Sequence, residues 1–280
     1  RAPEALFTFT VHTAEPPSYA FLGVRPCDLR AIAIQDRVLT GGRYEDSGYG
    51  GRRRRALLIA AECTEPGATC FCVSAGGGPA ADPGYDLALT EVIDDEGHRF
   101  LARAGSEEGA RLLERVPHRA ADPVTEATAR TSVDAARDRM GRALPATDLR
   151  ALLSGNPEAA RWNDVAERCL TCGNCTMVCP TCFCTTTEEV TDLTGDHTER
   201  WQRWDSCFDL DFSYLHGGPV RRSALRRDGQ WLTHKLSTWH DQFDTSGCVG
   251  CGRCIAWCPV GIDITEEVAA LEAERETETD

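Results

Sequence analysis

The sequence lacks the features that would place it in a membrane, in an oxidising compartment or on a nucleic acid. No stretch of its 280 residues approaches the ~18 consecutive apolar residues of a membrane span, and no signal peptide is visible. Positive charge is in deficit. Thirty basic residues against 44 acidic ones give a net charge of −14, whereas nucleic-acid binding shows as a basic balance or stripe. The seven histidines form no H-x3-H pair and no C-x-x-C-H occurs, so no histidine is read as a ligand and no haem attachment is read. The glycine-rich runs at 48–51 and 76–78 lack the strand–G-x-G-x-x-G–helix context of a dinucleotide site. Apolar residues make up 41%, slightly low but compatible with folded cores. The chain opens on Arg1 rather than Met. The expectation is that residues precede it, which weakens any exclusion drawn from a missing leader.

What the sequence has in excess is cysteine, 15 in all. An odd number argues against a complete disulfide framework, and ligand thiolates in a reducing compartment fit better. Eight of them form two blocks of identical spacing. The first is Cys169-Leu-Thr-Cys172-Gly-Asn-Cys175-Thr-Met-Val-Cys179-Pro180; the second is Cys248-Val-Gly-Cys251-Gly-Arg-Cys254-Ile-Ala-Trp-Cys258-Pro259. Each is C-x2-C-x2-C-x3-C-P, the bacterial run for a [4Fe–4S] cluster, whose fourth cysteine ligates the other cluster in two-cluster proteins. The expected sites are therefore crossed. One cluster takes Cys169, Cys172, Cys175 and Cys258, and the other takes Cys248, Cys251, Cys254 and Cys179. Gly173 and Gly252 follow the second cysteine of each block, where a missing Cβ lets backbone amides approach inorganic sulfide. Zinc also accepts paired C-x2-C, but a structural site needs only two pairs, and each block here carries four cysteines followed by proline.

Seven cysteines remain. Cys27 and Cys63 each follow a predicted strand, and Cys70 and Cys72 stand in Cys-Phe-Cys. In a parallel α/β sheet such strand ends share one edge, where ligands bind. The four could hold a third cluster or a zinc ion; the alternative is buried free thiols acting as small hydrophobes. Cys182, Cys184 and Cys207 fall one short of a set of four. They read as thiols packed near a cluster, with a small metal site as the alternative.

The length admits one large domain or two ordinary ones. Periodicity predicts strands at Tyr19–Val24 and Ala56–Ala61, and a hairpin of Tyr85–Val92 with His98–Ala104. Helices are predicted at Asp28–Leu39 with Asp28 as N-cap and at Ser106–Val116 capped by Ser106. Arg119–Leu144 reads as an exposed helix or linker. Helices at Asp148–Ser154 and Pro157–Glu167 lead into the first block, and a last one, Glu266–Arg275, is capped by Thr265. The basic run Arg52–Arg55 reads as a solvated loop, with partner docking as the alternative. Between the blocks, Trp201, Trp204, Phe208, Phe212, Tyr214, Trp231 and Trp239 are expected to pack the core and shield clusters. The fold class is α+β. An α/β domain at 1–118 precedes a helical linker at 119–165 and a mostly helical, ferredoxin-like two-cluster domain at 166–280.

Several strings carry a family resemblance: Gly23-Val-Arg-Pro-Cys-Asp-Leu29; Cys63 with Cys70-Phe-Cys72; the first block running on through Cys179-Pro-Thr-Cys-Phe-Cys184; Arg203-Trp-Asp-Ser-Cys207; and the second block from Gly247. Together, from about residue 20 to 265, they resemble the beta subunit of soluble [NiFe] sulfhydrogenases, and the A subunit of anaerobic sulfite reductase is similar. Members have a further N-terminal segment, so the chain is expected to be a fragment. The resemblance implies a cytoplasmic, non-catalytic electron-transfer subunit. It would sit between a flavin- and NAD(P)H-binding subunit and a catalytic unit, either a hydrogenase small-plus-large pair or a sirohaem sulfite reductase subunit. No nickel-ligand motif occurs. The residues alone give a two-cluster electron carrier. They leave two alternatives: a reductase that binds substrate at a cluster, which the complete ligand sets disfavour, and a zinc-stabilised scaffold.

Overall fold

The computed structural model describes residues 8–10, 15–95 and 97–279. Its first half is built on a four-stranded sheet of order β1-β2-β3-β4. β1 (Tyr19–Val24) and β2 (Ala56–Ala61) pair in parallel with Tyr19 opposite Ala56, β3 (Leu87–Asp94) lies parallel to β2, and β4 (Gly97–Ala104) returns antiparallel on β3. Parallel neighbours need a crossover, and here it is α1 (Pro26–Leu39) and α2 (Ser47–Arg54). The apolar strands β1 and β2 coincide with the predicted spans, and the hairpin begins and ends within two residues of its predicted bounds.

Three local expectations are corrected. Asp28 does not cap α1; Arg25 is the cap, and Asp28, in the first turn, accepts from the Arg25 backbone N–H at 3.3 Å. Pro26 starts the helix because proline's fixed φ and missing donor cost nothing there. The basic run is not a loop but the end of α2. Arg53 pairs with Asp36 at 3.1 Å and Arg54 with Glu45 at 2.8 Å, so local carboxylates neutralise it. The segment read as an exposed helix or linker forms α4 (Pro123–Arg137), following α3 (Glu107–Glu114). Small residues suit a helix lying close to a sheet, and Ala129, Val133 and Ala136 of α4 are buried, with contacts to β3 and β4.

The second half is largely helical. Its elements are α5 (Leu149–Gly155), α6 (Arg161–Arg168), α7 (Asn174–Met177), α8 (Ala224–Thr233), a π-helical turn (His234–Thr238), α9 (Trp239–Phe243), α10 (Arg253–Ala256) and α11 (Ile264–Thr279). Leu152, Leu153, Trp162, Leu232, Leu236, Ile264, Val268 and Leu271 form its core. Burying such side chains contributes about 1.5–3 kcal/mol each before entropy is counted. Phe71 from the first half is fully buried in the same core, so the Cys-Phe-Cys loop is pinned to the second half by its own phenylalanine. The cap of α11 is Asp263, not Thr265: its Oδ1 accepts from Thr265 N at 2.9 Å and Thr265 Oγ1 at 2.6 Å.

An unforeseen hairpin, β5 (Thr185–Thr191) with β6 (Thr198–Trp204), interrupts the helices, and a two-residue pair, β7 (Tyr214–Leu215) with β8 (Gly218–Pro219), follows. Every residue of β5 and β6 is exposed. The expectation for the aromatics accordingly divides. Phe208, Trp231 and Trp239 are buried, whereas Trp201, Trp204 and Tyr214 are exposed.

Candidate metal centres

Both blocks fold the same way. The chain passes through Gly173 and Gly252 at φ +72° and +69°, a left-handed region that favours glycine, and turns at once into the one-turn helices α7 and α10, which carry Cys175 and Cys254. One position before the second cysteine, a backbone N–H turns back onto the first. Thr171 N donates to Cys169 Sγ at 3.3 Å and Gly250 N to Cys248 Sγ at 3.4 Å. Ile262 N donates to Cys258 Sγ at 3.2 Å. Hydrogen bonds to sulfur are among the levers that set cluster potential.

The thiols gather across the blocks. Cys175 has Cys169, Cys172 and Cys258 as electrostatic neighbours, while Cys254 has Cys248, Cys251 and Cys179. α7 and α10 touch, which is what lets each block reach the other. Burial pushes the Cys175 and Cys248 thiols up to about 12. Without iron these would be neutral thiols, so metal binding has to displace their protons. Each gathering is an all-sulfur set of four with backbone donors aimed at sulfur, a donor set that fits a [4Fe–4S] cluster.

The four N-terminal cysteines lie in one neighbourhood, linked pairwise. Cys27 opens α1 and Cys63 follows β2, placing both at the edge where the parallel strands end. Cys27 has Cys63 as a neighbour, Cys63 has Cys70, and Cys72 has both Cys70 and Cys63. This group abuts the second block. Cys27 has Cys251 as a neighbour, Phe71 N donates to Gly250 O at 2.8 Å, and Arg253 pairs with Asp28 at 2.6 Å. A Cβ on Gly252 would lie 2.1 Å from Thr69 O, so the two loops are in backbone contact. Among the described residues, no three His, Cys, Asp or Glu side chains are gathered tightly enough to hold a single metal ion.

Two charged residues at the centres were not anticipated. Asp228 of α8 is buried beside Cys169, and burial pushes its carboxyl up to about 6. Lys235, in the π-helical turn, is fully enclosed. Its Nζ donates to Cys179 Sγ at 3.2 Å, Thr181 Oγ1 at 3.1 Å, Gly247 O at 3.0 Å and Cys182 Sγ at 3.6 Å. Burial opposes its charge, but the sulfurs of Cys179, Cys182 and Cys248 outweigh it and raise its pKa. The sequence does carry a signal for it: of the 30 basic residues, Lys235 is the only lysine. A chain that uses arginine everywhere else places its one compact, three-donor ammonium against cysteine sulfur.

Residues 168–262 match the family model of a 4Fe-4S dicluster domain, and residues 131–183 match a second 4Fe-4S dicluster model. The chain is 33% identical over 267 residues to sulfhydrogenase 2 subunit beta of Pyrococcus furiosus, an alignment covering 92% of this chain and 74% of that protein. No solved structure matches.

Proposed function

This chain belongs to the sulfhydrogenase beta-subunit family and is an iron–sulfur electron-transfer subunit with two [4Fe–4S] clusters in its C-terminal half, and from that premise we propose the route its electrons take. The chain relays them between a flavin- and NAD(P)H-binding subunit and the catalytic unit of a soluble [NiFe] hydrogenase, in the cytoplasm. Among the described residues no helix is long and apolar enough to cross a membrane. Cys169, Cys172, Cys175 and Cys258 hold one cluster. Cys248, Cys251, Cys254 and Cys179 hold the second. Cys27, Cys63, Cys70 and Cys72, carried by the N-terminal α/β unit, hold a third.

The observation that carries this reading is the serial contact of the three thiol groups. The N-terminal group touches the second block through Phe71 N to Gly250 O at 2.8 Å and Cys70 Sγ to Cys251 O at 3.9 Å, and the second block touches the first through α10 and α7. Such a row transfers electrons from one face of the molecule to another and needs no open coordination position. Its outer end has the surface of a docking site: Cys172 is exposed, and so are the apolar Leu170, Met177 and Trp257 around the first block. Iron content separates a cubane from zinc at the N-terminal group: about twelve irons per chain supports the third cluster, and about eight plus one zinc supports a zinc site.

The test uses the anaerobically purified chain with and without the flavin subunit. NAD(P)H is expected to bleach the clusters only when that subunit is present, and the chain alone is expected to show no hydrogen oxidation with an artificial acceptor. Hydrogen oxidation by the chain alone would refute a pure relay. Cys179→Ser is expected to damage the cluster held by the second block. EPR or Mössbauer loss confined to the first-block cluster would refute the crossed ligation.

A further inference from the structure

Crossed ligation and the N-terminal group together leave three thiols unused, and the inference here rests on that reading. Cys182 and Cys184 precede β5, and Cys207 follows β6. The exposed hairpin buries nothing, but it returns the chain to its starting point: Asp205 N donates to Cys184 O at 3.0 Å just below the last β5–β6 pair, Thr185 with Trp204. A loop of 22 residues between Cys184 and Cys207 is thereby closed, so that two cysteines distant in sequence become neighbours. Cys184 and Cys207 line one cavity, and Cys182 Sγ and Cys179 Sγ both accept from the Lys235 ammonium.

All three unused thiols line one cavity of about 780 Å³, together with Lys235, His234 and the aromatic walls Trp231 and Trp239. Lys235 supplies the second observation. Its four hydrogen-bond acceptors are two sulfurs, a hydroxyl and a carbonyl, with no carboxylate among them. An ammonium taken wholly out of water needs compensating negative charge close by. Lys235 Nζ reaches the sulfur of the unused Cys182 as well as that of Cys179, and the lysine lines the same cavity as Cys184 and Cys207. The main chain is deformed to aim it, since the lysine stands in a π-helical turn, a distortion found mostly at functional sites.

We propose that Cys182, Cys184 and Cys207 form a further iron–sulfur site, binding a [4Fe–4S] cluster through three thiolates. Its fourth iron, without a protein thiolate, faces the cavity, where water or an exogenous donor completes it. A zinc site of the three thiols with His234 as fourth ligand is the competing outcome, which metal analysis separates. The place of the proposed cluster is next to both block clusters: Cys182 shares the Lys235 ammonium with Cys179, and Cys207 packs against the same core as Cys175.

The experiment counts iron and acid-labile sulfide in the whole anaerobic chain and in Cys184→Ser and Cys207→Ser, with 57Fe Mössbauer spectra of each. Both variants are expected to lose about four irons relative to the parent while keeping the spectra of the block clusters. Mild oxidation of the parent is expected to release the thiolate-free iron and give a [3Fe–4S] EPR signal that Cys207→Ser lacks. Equal iron in parent and variants, or zinc lost in place of iron, overturns the site. If both variants come out without any cluster, the parent decides. About sixteen irons support the site and about eight or fewer overturn it; at about twelve, Cys63→Ser decides, because unchanged iron there leaves about four irons beyond the blocks for this site, whereas a loss of about four overturns it. Failure of the two-block reading looks different, as the parent would then hold fewer than about eight.

Discussion

Asp228 and Lys235 give the two block clusters opposite electrostatic surroundings. A buried carboxylate beside Cys169 disfavours added negative charge and lowers the potential of the first-block cluster. A buried ammonium beside Cys179 donates to its sulfur and, with Cys179 ligating the second-block cluster as proposed, raises that cluster's potential. A hydrogen bond to a charged group contributes about 1.5–3 kcal/mol, which at ~59 mV per 1.4 kcal/mol for one electron corresponds to roughly 60–130 mV. Lys235→Met is expected to lower the second-block potential by that amount, and Asp228→Asn at neutral pH to raise the first-block potential by a similar one. Anaerobic redox titration followed by EPR measures both. Shifts of the opposite sign, or shifts confined to the other cluster, would refute the assignment of charge to cluster. Only part of this was legible in the sequence. The eight block cysteines announce their chemistry by spacing, because their local turns do the positioning. Lys235 lies 56 residues from Cys179, and the contact exists only after α8 and the second block pack.

At the scale of the element, the two blocks are the same turn under different constraint. Gly173 and Gly252 both hold left-handed φ, so alanine strains either. The neighbours differ. A Cβ at 173 would meet Ser206 Oγ at 2.9 Å, a side-chain hydroxyl bonded to Thr176 Oγ1 and Phe208 N; a Cβ at 252 would meet Thr69 O at 2.1 Å, a backbone carbonyl held in place by the buried Phe71 nearby. Gly173→Ala is expected to cost about 1–3 kcal/mol of backbone strain and to leave its cluster assembled. Gly252→Ala is expected to cost more and to lower the iron bound at the second block and at the N-terminal group together. Iron content and thermal unfolding midpoints of the two variants check this; equal losses would show that the loop contact is not rigid. The same contrast explains what the sequence could and could not disclose. β1 and β2 are apolar and announce themselves, whereas β5 and β6 are built from Thr, Glu and Arg with both faces in water. They have no period of burial to read and were missed. The cap of α11 was misplaced by two residues because Asp263 and Thr265 are both good caps, and the choice is made by Arg142, which reaches Asp263 at 2.7 Å from after α4.

For the whole molecule, the question is whether the N-terminal unit is a scaffold or a segment of the wire. Its sheet ends, its Cys-Phe-Cys loop and its Asp28 all converge on the second block, and Phe71 is built into the helical core. The two halves are therefore joined through the cysteine sites. A scaffold would need only the packing of Phe71 and the Asp28–Arg253 pair, and it would give no reason for four thiols to meet at the strand ends. Cys63→Ser separates the two roles, because it removes one thiol and leaves Phe71, Asp28 and both blocks in place. Serine is nearly isosteric, so the stability change is expected to stay within about 1 kcal/mol once the cluster is absent. Iron is expected to fall by about four per chain with the block spectra retained. In the reconstituted complex, NAD(P)H-driven reduction of the first-block cluster is expected to slow at least tenfold if the N-terminal group receives the electron from the flavin subunit. Stopped-flow absorbance gives that rate. Unchanged iron with an unchanged rate would make the N-terminal unit a scaffold. Lost iron with an unchanged rate would place its cluster off the route, and the flavin subunit would then have to deliver electrons at the blocks, through the surface around Cys172, Leu170 and Trp257.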